Sequence, residues 1–386
     1  MKKFKSLFLV AAALVFGLTS CNNDALHIDE GVRTLSIQVS GAPENRALQA
    51  SGQGVTATLS SGVIFLIAPD GTVINNYPLS LGGGVGHADG AGQVLNNAGD
   101  GYPSNTRVFI VGNVLEVYDA ATVTALTGAT TWAAIQAITQ TTASYANATA
   151  ALPILSNHSG QPASMSVVSS TAASVNVSIS PVTARLELGT VTGGTWTDPA
   201  VATNQTRILG FTVTGVYVDN YFPNFNYAGI GSGTVFSQGP STTFTGIGLT
   251  GSWPATGTAG AMVAAPPAAT PVNWWAYNVP AGTISRFIIR VTNVTYEATT
   301  DGGTTWVPGG SILAANNYFL TVMDFRNVVG GAIWNDNFER GTVYGVNNIT
   351  FNTVNLHNTP NPTDVPLTVQ LTVRPWAFQG LNVDLQ

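Results

Sequence analysis

The residue types that usually carry catalysis or bind metals are few and scattered in this sequence. His27, His87, His158 and His357 lie far apart, and none forms an i, i+4 pair or a His-x-His pair. A zinc site needs three or four nitrogen or sulfur ligands in a suitable spacing. The single cysteine, Cys21, lies near the N-terminus and cannot complete such a set. The sequence therefore predicts no metal site.

Hydrolytic chemistry is also poorly represented. Asp336 and Glu339 are close enough in sequence to be tested as a pair of catalytic carboxylates, but Arg340 follows directly and offers Glu339 a simpler role in an ion pair. No Gly-x-Ser-x-Gly motif is present. The glycine-rich stretch 82–86 lacks the lysine and the following helix pattern of a phosphate-binding loop. We expect a protein that is not an enzyme and has no cofactor.

Two aromatic clusters, at 221–227 and 274–277, are the remaining candidates for ligand binding. Aromatic rings can stack on sugars, but packing inside a core or a loop is their commoner fate. A glycan-binding or hydrolytic surface lipoprotein therefore stays an alternative.

The N-terminus has the pattern of an export signal. Lys2, Lys3 and Lys5 precede an apolar run, Leu7 to Leu18, that is too short to span a membrane. Small residues then lead to Cys21, an arrangement similar to the lipobox of bacterial lipoproteins. The sequence thus predicts a signal peptide at 1–20 and a lipidated Cys21. Ordinary secretion with a free thiol is the alternative, and a lone cysteine excludes an intramolecular disulfide.

The composition indicates an all-β protein that is stabilised by burial. Only 8% of residues are charged and 45% are hydrophobic, while 42 glycines and 20 prolines separate runs rich in β-branched residues. The length allows two domains, and we place their boundary near Ser180, before Pro181. The formal net charge of −6 and the lack of any basic run after Lys5 argue against a nucleic-acid partner.

Alternating patterns mark strands at both ends of the chain. Near the N-terminus, Leu35, Ile37 and Val39 alternate with polar residues, which predicts a short amphipathic strand. A turn-rich segment with a single arginine, Arg46, follows this strand, and such loops are frequent sites of proteolytic nicking. On local sequence alone, Arg46 is better explained as a solvated loop arginine. Between the two ends, the clearest helix is predicted over Val123 to Thr139.

At the C-terminus, alternation over Leu367–Arg374 predicts a strand that ends at Pro375. A second apolar set follows at Trp376, Phe378, Leu381, Val383 and Leu385. So apolar a chain end must be buried, either in its own domain or in a neighbouring molecule.

Together these segments resemble the fimbrillins, which build the type V pili of Bacteroides-like bacteria. The order and spacing of several segments carry the resemblance, while the region 229–269 departs from it by being longer and less patterned. The segments are the lipobox at 18–21, the strand 34–40, the loop arginine in 44–47, the strand 106–113 with the helix after it, the segment 181–188 and the closing 371–376. The resemblance implies two tandem transthyretin-like, Greek-key β-sandwich domains, at 47–180 and 181–386, with one short helix in the first.

The resemblance also implies a mechanism of assembly. The precursor would be anchored to the outer membrane through Cys21, and an arginine-specific surface protease would cut between Arg46 and Ala47. The propeptide 21–46 would then leave with the strand that carries Leu35, Ile37 and Val39. A donor strand at 375–386 of an identical or related subunit would fill the gap, which gives a head-to-tail fimbrium. Such a fibre implies adhesion to host or bacterial surface ligands, and a tip or accessory adhesin is the alternative within the family.

Overall fold

The computed structural model shows two β-sandwiches in succession along the chain. The residues that the structure describes are 34–41, 57, 59–79, 92–96, 101–141, 153–169, 171–237, 275–310, 317–327, 331–359 and 367–375. The all-β sandwich expected from composition and strand pattern is confirmed.

Ten strands lie in the first half of the described chain. They are β1 (Thr34–Gly41), β2 (Gly62–Ile67), β3 (Val73–Pro78), β4 (Gly92–Asn96), β5 (Arg107–Gly112), β6 (Thr139–Thr141), β7 (Leu155–Asn157), β8 (Ala163–Ser164), β9 (Ser166–Ser169) and β10 (Ala172–Pro181). All except β6 belong to one sheet, with the order β3-β2-β5-β7-β10-β1-β4, and β8 and β9 pair with β5 and β10 respectively.

Burial on both faces explains why two central strands of this sheet read as continuous apolar runs. On β2, Ile64 and Leu66 pack into a core that also contains β1 and β10, whereas Phe65 faces a second core. Strand β5 divides in the same way, with Ile110 in the first core and Phe109 in the second. One sheet therefore supports two apolar layers.

The second layer is covered by short helices, where the structure differs from the sequence prediction. The described residues contain three helices: α1 (Val114–Val117), α2 (Ala120–Thr127) and α3 (Trp132–Ala137). The single helix expected over 123–139 is divided between α2 and α3. The Thr131 side chain accepts a hydrogen bond from the Ala134 backbone N–H at 3.0 Å and so begins a new helix, while α2 ends at Gly128. The segment is helical, as its apolar periodicity predicts, but the C-cap at Gly128 and the N-cap at Thr131 divide it into two helices.

The second half contains eleven described strands and a 3₁₀ turn at Thr353–Asn355. The strands are β11 (Ala184–Gly193), β12 (Thr195–Thr197), β13 (Gln205–Asp219), β14 (Asn224–Asn226), β15 (Gly231–Ser232), β16 (Trp275–Val279), β17 (Arg286–Thr299), β18 (Val307–Pro308), β19 (Asn317–Asn327), β20 (Thr342–Phe351) and β21 (Leu367–Pro375). The main sheet has the order β12-β13-β17-β19-β21-β20-β11-β16, and β18 pairs with β17.

The strand predicted at the C-terminal end, β21, lies inside this sheet. It runs parallel to β19 and antiparallel to β20. Its Val369 side chain joins the core of the second half, which Leu186 of β11 and Ile289 of β17 also line. The described part of the strand reaches Pro375, which pairs with Thr342 of β20. The residues after Pro375 lie outside the described part of the chain, so the predicted end of the strand stays a prediction.

Strands β6, β14 and β15 form a separate small sheet that contains residues from both halves. Strand β14 lies between β15 and β6, and Phe225 of β14 pairs with Gln140 of β6. The two halves are thus joined by backbone pairing as well as by the chain that connects β10 to β11. The domain boundary near Ser180 stays a prediction.

Candidate functional site

Strand β1 is the element on which the expected assembly mechanism depends. Leu35, Ile37 and Val39 are each 1% exposed or less. Thr34 and Gln38, on the other face of the strand, are half-buried. The alternation in the sequence therefore corresponds to one face inside the core and one at the surface.

Both edges of β1 are paired. Ile37 lies beside Val175 of the parallel strand β10 and beside Gln93 of the antiparallel strand β4. At the start of the strand, the Thr34 N–H donates to the Thr171 carbonyl at 2.9 Å. Since β1 lies between two strands, its removal would leave two rows of unpaired backbone groups facing one gap.

The apolar face of β1 is a substantial part of the first core. Its three aliphatic side chains pack in one cluster with Ile64 of β2 and Ile110 of β5. Burying three such side chains contributes about 6 kcal/mol to folding. The gap left by β1 would therefore be apolar, and its exposure to water would be costly.

Other site residues predicted from the sequence lie outside the described residues. Strand β1 ends at Gly41, a few positions before the predicted cleavage site, and β21 ends one residue before the predicted donor set. The residues concerned are Cys21, Arg46, Ala47, Trp376, Phe378, Leu381, Val383 and Leu385. Their roles stay predictions.

The junction of the two halves contains Arg340, for which the sequence alone predicts an ion pair with Glu339. Its guanidinium donates to the carbonyls of Ser180 and Pro181 at 3.0 and 3.3 Å. It also donates to the Ser156 carbonyl at 3.2 Å, the Ser156 hydroxyl at 2.9 Å and the Ala228 carbonyl at 2.9 Å. One arginine of the second half thus holds β7, the end of β10 and the turn after β14.

A glycine makes room for this arginine. Gly229 has a φ of 78°, and a Cβ atom there would lie 2.8 Å from both the Arg340 Cδ and the Val182 carbonyl oxygen. Both the left-handed backbone and the close approach therefore require glycine. Nearby, burial lowers the pKa of His158, and the positive charge of Arg340 lowers it further.

The aromatic cluster at 221–227 belongs to this junction and is not open to a ligand. Tyr221, Phe225 and Tyr227 are 1% exposed or less, and the last two pack in the helix-covered core of the first half. The Ser156 hydroxyl donates to the Tyr227 carbonyl, and the Gln140 side chain donates to the Tyr227 hydroxyl at 3.3 Å. Core packing, the commoner fate considered for these rings, is what the structure shows. Trp274 lies outside the described residues.

The other residues considered for metal binding or catalysis do not form a site within the described part of the chain. No group of three or more histidine, cysteine, aspartate or glutamate side chains that could hold a metal occurs within the described part of the chain. Asp336 accepts the Trp334 indole N–H at its backbone carbonyl, and the Glu339 N–H donates to the Tyr344 hydroxyl. The described residues contain no helix that is long and apolar enough to cross a membrane. The glycine-rich stretch 82–86 lies outside the described residues.

Comparison with solved structures shows that other proteins share this fold. A protein from Parabacteroides distasonis ATCC 8503, named provisionally as a cell adhesion protein, has a TM-score of 0.55 at 12% identity and covers 89% of this chain and 99% of its own. A second such protein from the same strain has a TM-score of 0.50 at 12% identity, covering 91% and 98%.

A fimbrilin from Porphyromonas gingivalis W83 is also similar, at 12% identity, with coverage of 91% and 99% and a TM-score of 0.48. No family model matches the chain, and no curated protein matches it significantly. The chain therefore shares its fold with the two Parabacteroides distasonis proteins, and identities of 12% establish the fold alone.

Proposed function

We propose that this protein is a structural fimbrial subunit, exported as a lipoprotein and assembled by donor-strand exchange after cleavage at Arg46. The observation that supports this most is the position of β1. It is the first described strand, it lies between β10 and β4, and its apolar face is buried. Such a strand can be detached by one cut after it, and its loss would open a gap between β10 and the edge strand β4.

The donor in this proposal is the segment 375–386 of a second copy or of a related subunit. Its apolar side chains fit the chemistry of the gap, and an extended strand would pair with both free edges. Because the tail of one subunit would fill the gap of the next, the contact repeats without closing and gives a filament. The structures that share the fold and are named for cell adhesion support a role at the cell surface.

Lipidation at Cys21 places the precursor in the outer membrane, where an arginine-specific surface protease meets it. The same cut releases the lipid anchor together with β1. Membrane attachment and assembly are therefore mutually exclusive states of one chain. The mature subunit resides in the fimbrium, where it contacts other subunits and surface ligands of host or bacterial cells.

Replacing Arg46 by alanine tests the processing step. We expect the Arg46→Ala precursor to stay lipidated and monomeric on cells, because β1 still occupies its place. Electron microscopy and N-terminal sequencing of the surface protein provide the measurement, and the wild-type chain should begin at Ala47. The matched control is Arg33→Ala, since a cut after Arg33 would leave β1 in the sheet. Polymers of normal length from Arg46→Ala would contradict the proposal.

Deletion of residues 379–386 tests the donor and separates a shaft subunit from a tip subunit. We expect the shortened chain to be cleaved normally but to yield no filaments of its own, because the gap left by β1 finds no donor. A shaft subunit without its donor ends the assembly, whereas a tip subunit lacking these residues still caps fibres made of other subunits. Filaments of normal length assembled from the shortened chain alone would show that the tail is not the donor.

A further inference from the structure

The arginines of this chain are placed in a way that bears on where a protease can cut. Lysines occur only at positions 2, 3 and 5. Beyond position 5, a protease that cuts after basic residues therefore finds only arginines. A protease of this specificity needs the arginine side chain in its specificity pocket. It also needs backbone that is free of burial and of hydrogen bonding within the fold.

Most of the arginines fail the second requirement because their backbone is part of a sheet. Five of them have a strand partner on either side. These are Arg107, between Ile67 and Ser164; Arg185, between Asn278 and Val343; Arg207, between Thr195 and Glu297; Arg290, between Gly215 and Phe319; and Arg326, between Gln370 and Ile333. Arg286 and Arg374 are each paired with one neighbouring strand, through Asp219 and Val343.

Several of the side chains also fail the first requirement. The Arg185 guanidinium is 4% exposed and lies 2.7 Å from the Glu187 carboxylate. Arg207 lies 2.6 Å from the Glu297 carboxylate and packs over the Trp306 ring at 4.2 Å. Arg340, which precedes β20, has its guanidinium bound at the junction. The bond after it leads to Gly341, whose N–H donates to the Thr183 carbonyl at 2.9 Å.

Two arginines remain, and the fold distinguishes them. Arg33 directly precedes Thr34, which is paired with Ala172 on one side and Asn96 on the other. A protease bound at Arg33 would have to accommodate Thr34 next to the bond it cuts, and so would have to detach the start of β1. Arg46 is separated from the nearest described strand residue, Gly41, by four residues.

We propose that the fold itself sets the specificity of processing, because it makes the body 59–375 a non-substrate for arginine-specific proteases. No recognition sequence around Arg46 is then needed to spare the arginines of the body. This inference rests on the proposed function for its biological meaning. The protection from proteolysis itself is a property of the folded monomer and does not depend on assembly.

Digestion of the purified, unlipidated chain 22–386 by trypsin, a protease unrelated to the natural one, tests this. Mass spectrometry over time should show cleavage after Arg46 at least about 1,000-fold faster than after any arginine of the body, because cutting in a paired strand requires unfolding. In urea all sites should be cut at similar rates. Early fragments that end at Arg207, Arg326 or Arg340 under native conditions would overturn the proposal.

Two variants distinguish protection by the fold from local recognition. Arg46→Ala removes the predicted site, and we expect the arginines of the body to stay uncut in this variant under native conditions. Glu297→Ala frees the Arg207 side chain but leaves its backbone paired, and no new cut is expected. An Arg46→Ala chain that is cut within the body as fast as the wild type is cut after Arg46 would overturn the proposal. Cutting with no subsequent polymer would refute the proposed function and leave this inference intact.

Discussion

Replacing Ile37 by aspartate is expected to unfold the first sandwich of the precursor. Ile37 is 1% exposed in the core shared by β1, β2 and β5. The substitution removes a buried aliphatic side chain and places a carboxylate among apolar side chains. Together these effects cost about 5 kcal/mol or more, which is comparable with the whole stability of a domain. Thermal unfolding followed by circular dichroism measures the loss.

The matched control is Gln38→Asp, which adds the same carboxylate to the half-buried face of the same strand. We expect it to change the free energy of unfolding by less than about 1 kcal/mol. A chain that begins at Ala47 contains neither substituted position, so filaments already assembled from cleaved subunits would be independent of both. An Ile37→Asp precursor that melts within a few degrees of the wild type would show that β1 does not complete the core.

The strands at both ends could be predicted from sequence because their patterns report local physics. In β1, Leu35, Ile37 and Val39 alternate with polar residues, and one face of the strand is buried. In β21, apolar and polar residues alternate in the same way, and Val369 lies in the core of the second half. A period of two indicates which side chains face inward. It does not indicate which strands become neighbours, so the position of β1 between β10 and β4 had to come from the structure.

The junction could not be predicted, because its residues are distant in sequence. Arg340 and Ser156 are 184 positions apart, and nothing around either residue indicates the other. Sequence reasoning paired Arg340 with its neighbour Glu339, since adjacent opposite charges are the only ionic signal visible locally. Two features of the sequence could have indicated the junction: the aromatic run 221–227 and Gly229. An apolar run is more often core than binding surface, and a glycine beside it indicates close packing.

Replacing Arg340 by alanine is expected to uncouple the two halves. The guanidinium donates to Ser156, Ser180, Pro181 and Ala228, and hydrogen bonds from a charged donor to a buried acceptor contribute about 1.5–3 kcal/mol each. Because Ser156, Ser180 and Pro181 keep a strand partner, we expect a net loss of about 3–4 kcal/mol. In calorimetry we expect the wild type to unfold in a single transition and Arg340→Ala to unfold in two, since cooperativity between the halves depends on their interface.

Two further variants show whether geometry or charge is responsible. Arg340→Lys keeps the charge but presents one nitrogen, which cannot reach acceptors on three segments at once, so its stability should fall between those of alanine and the wild type. Arg326→Ala removes an arginine that donates to the Gly331 carbonyl at the surface, and we expect a loss of less than about 1 kcal/mol. If Arg340→Ala unfolds in one transition close to the wild type, the halves are held by the β6–β14 pairing and the shared aromatic core. Tension along a fibre of such subunits would then be transmitted between the halves by those contacts. Two separate transitions would instead show that Arg340 transmits it.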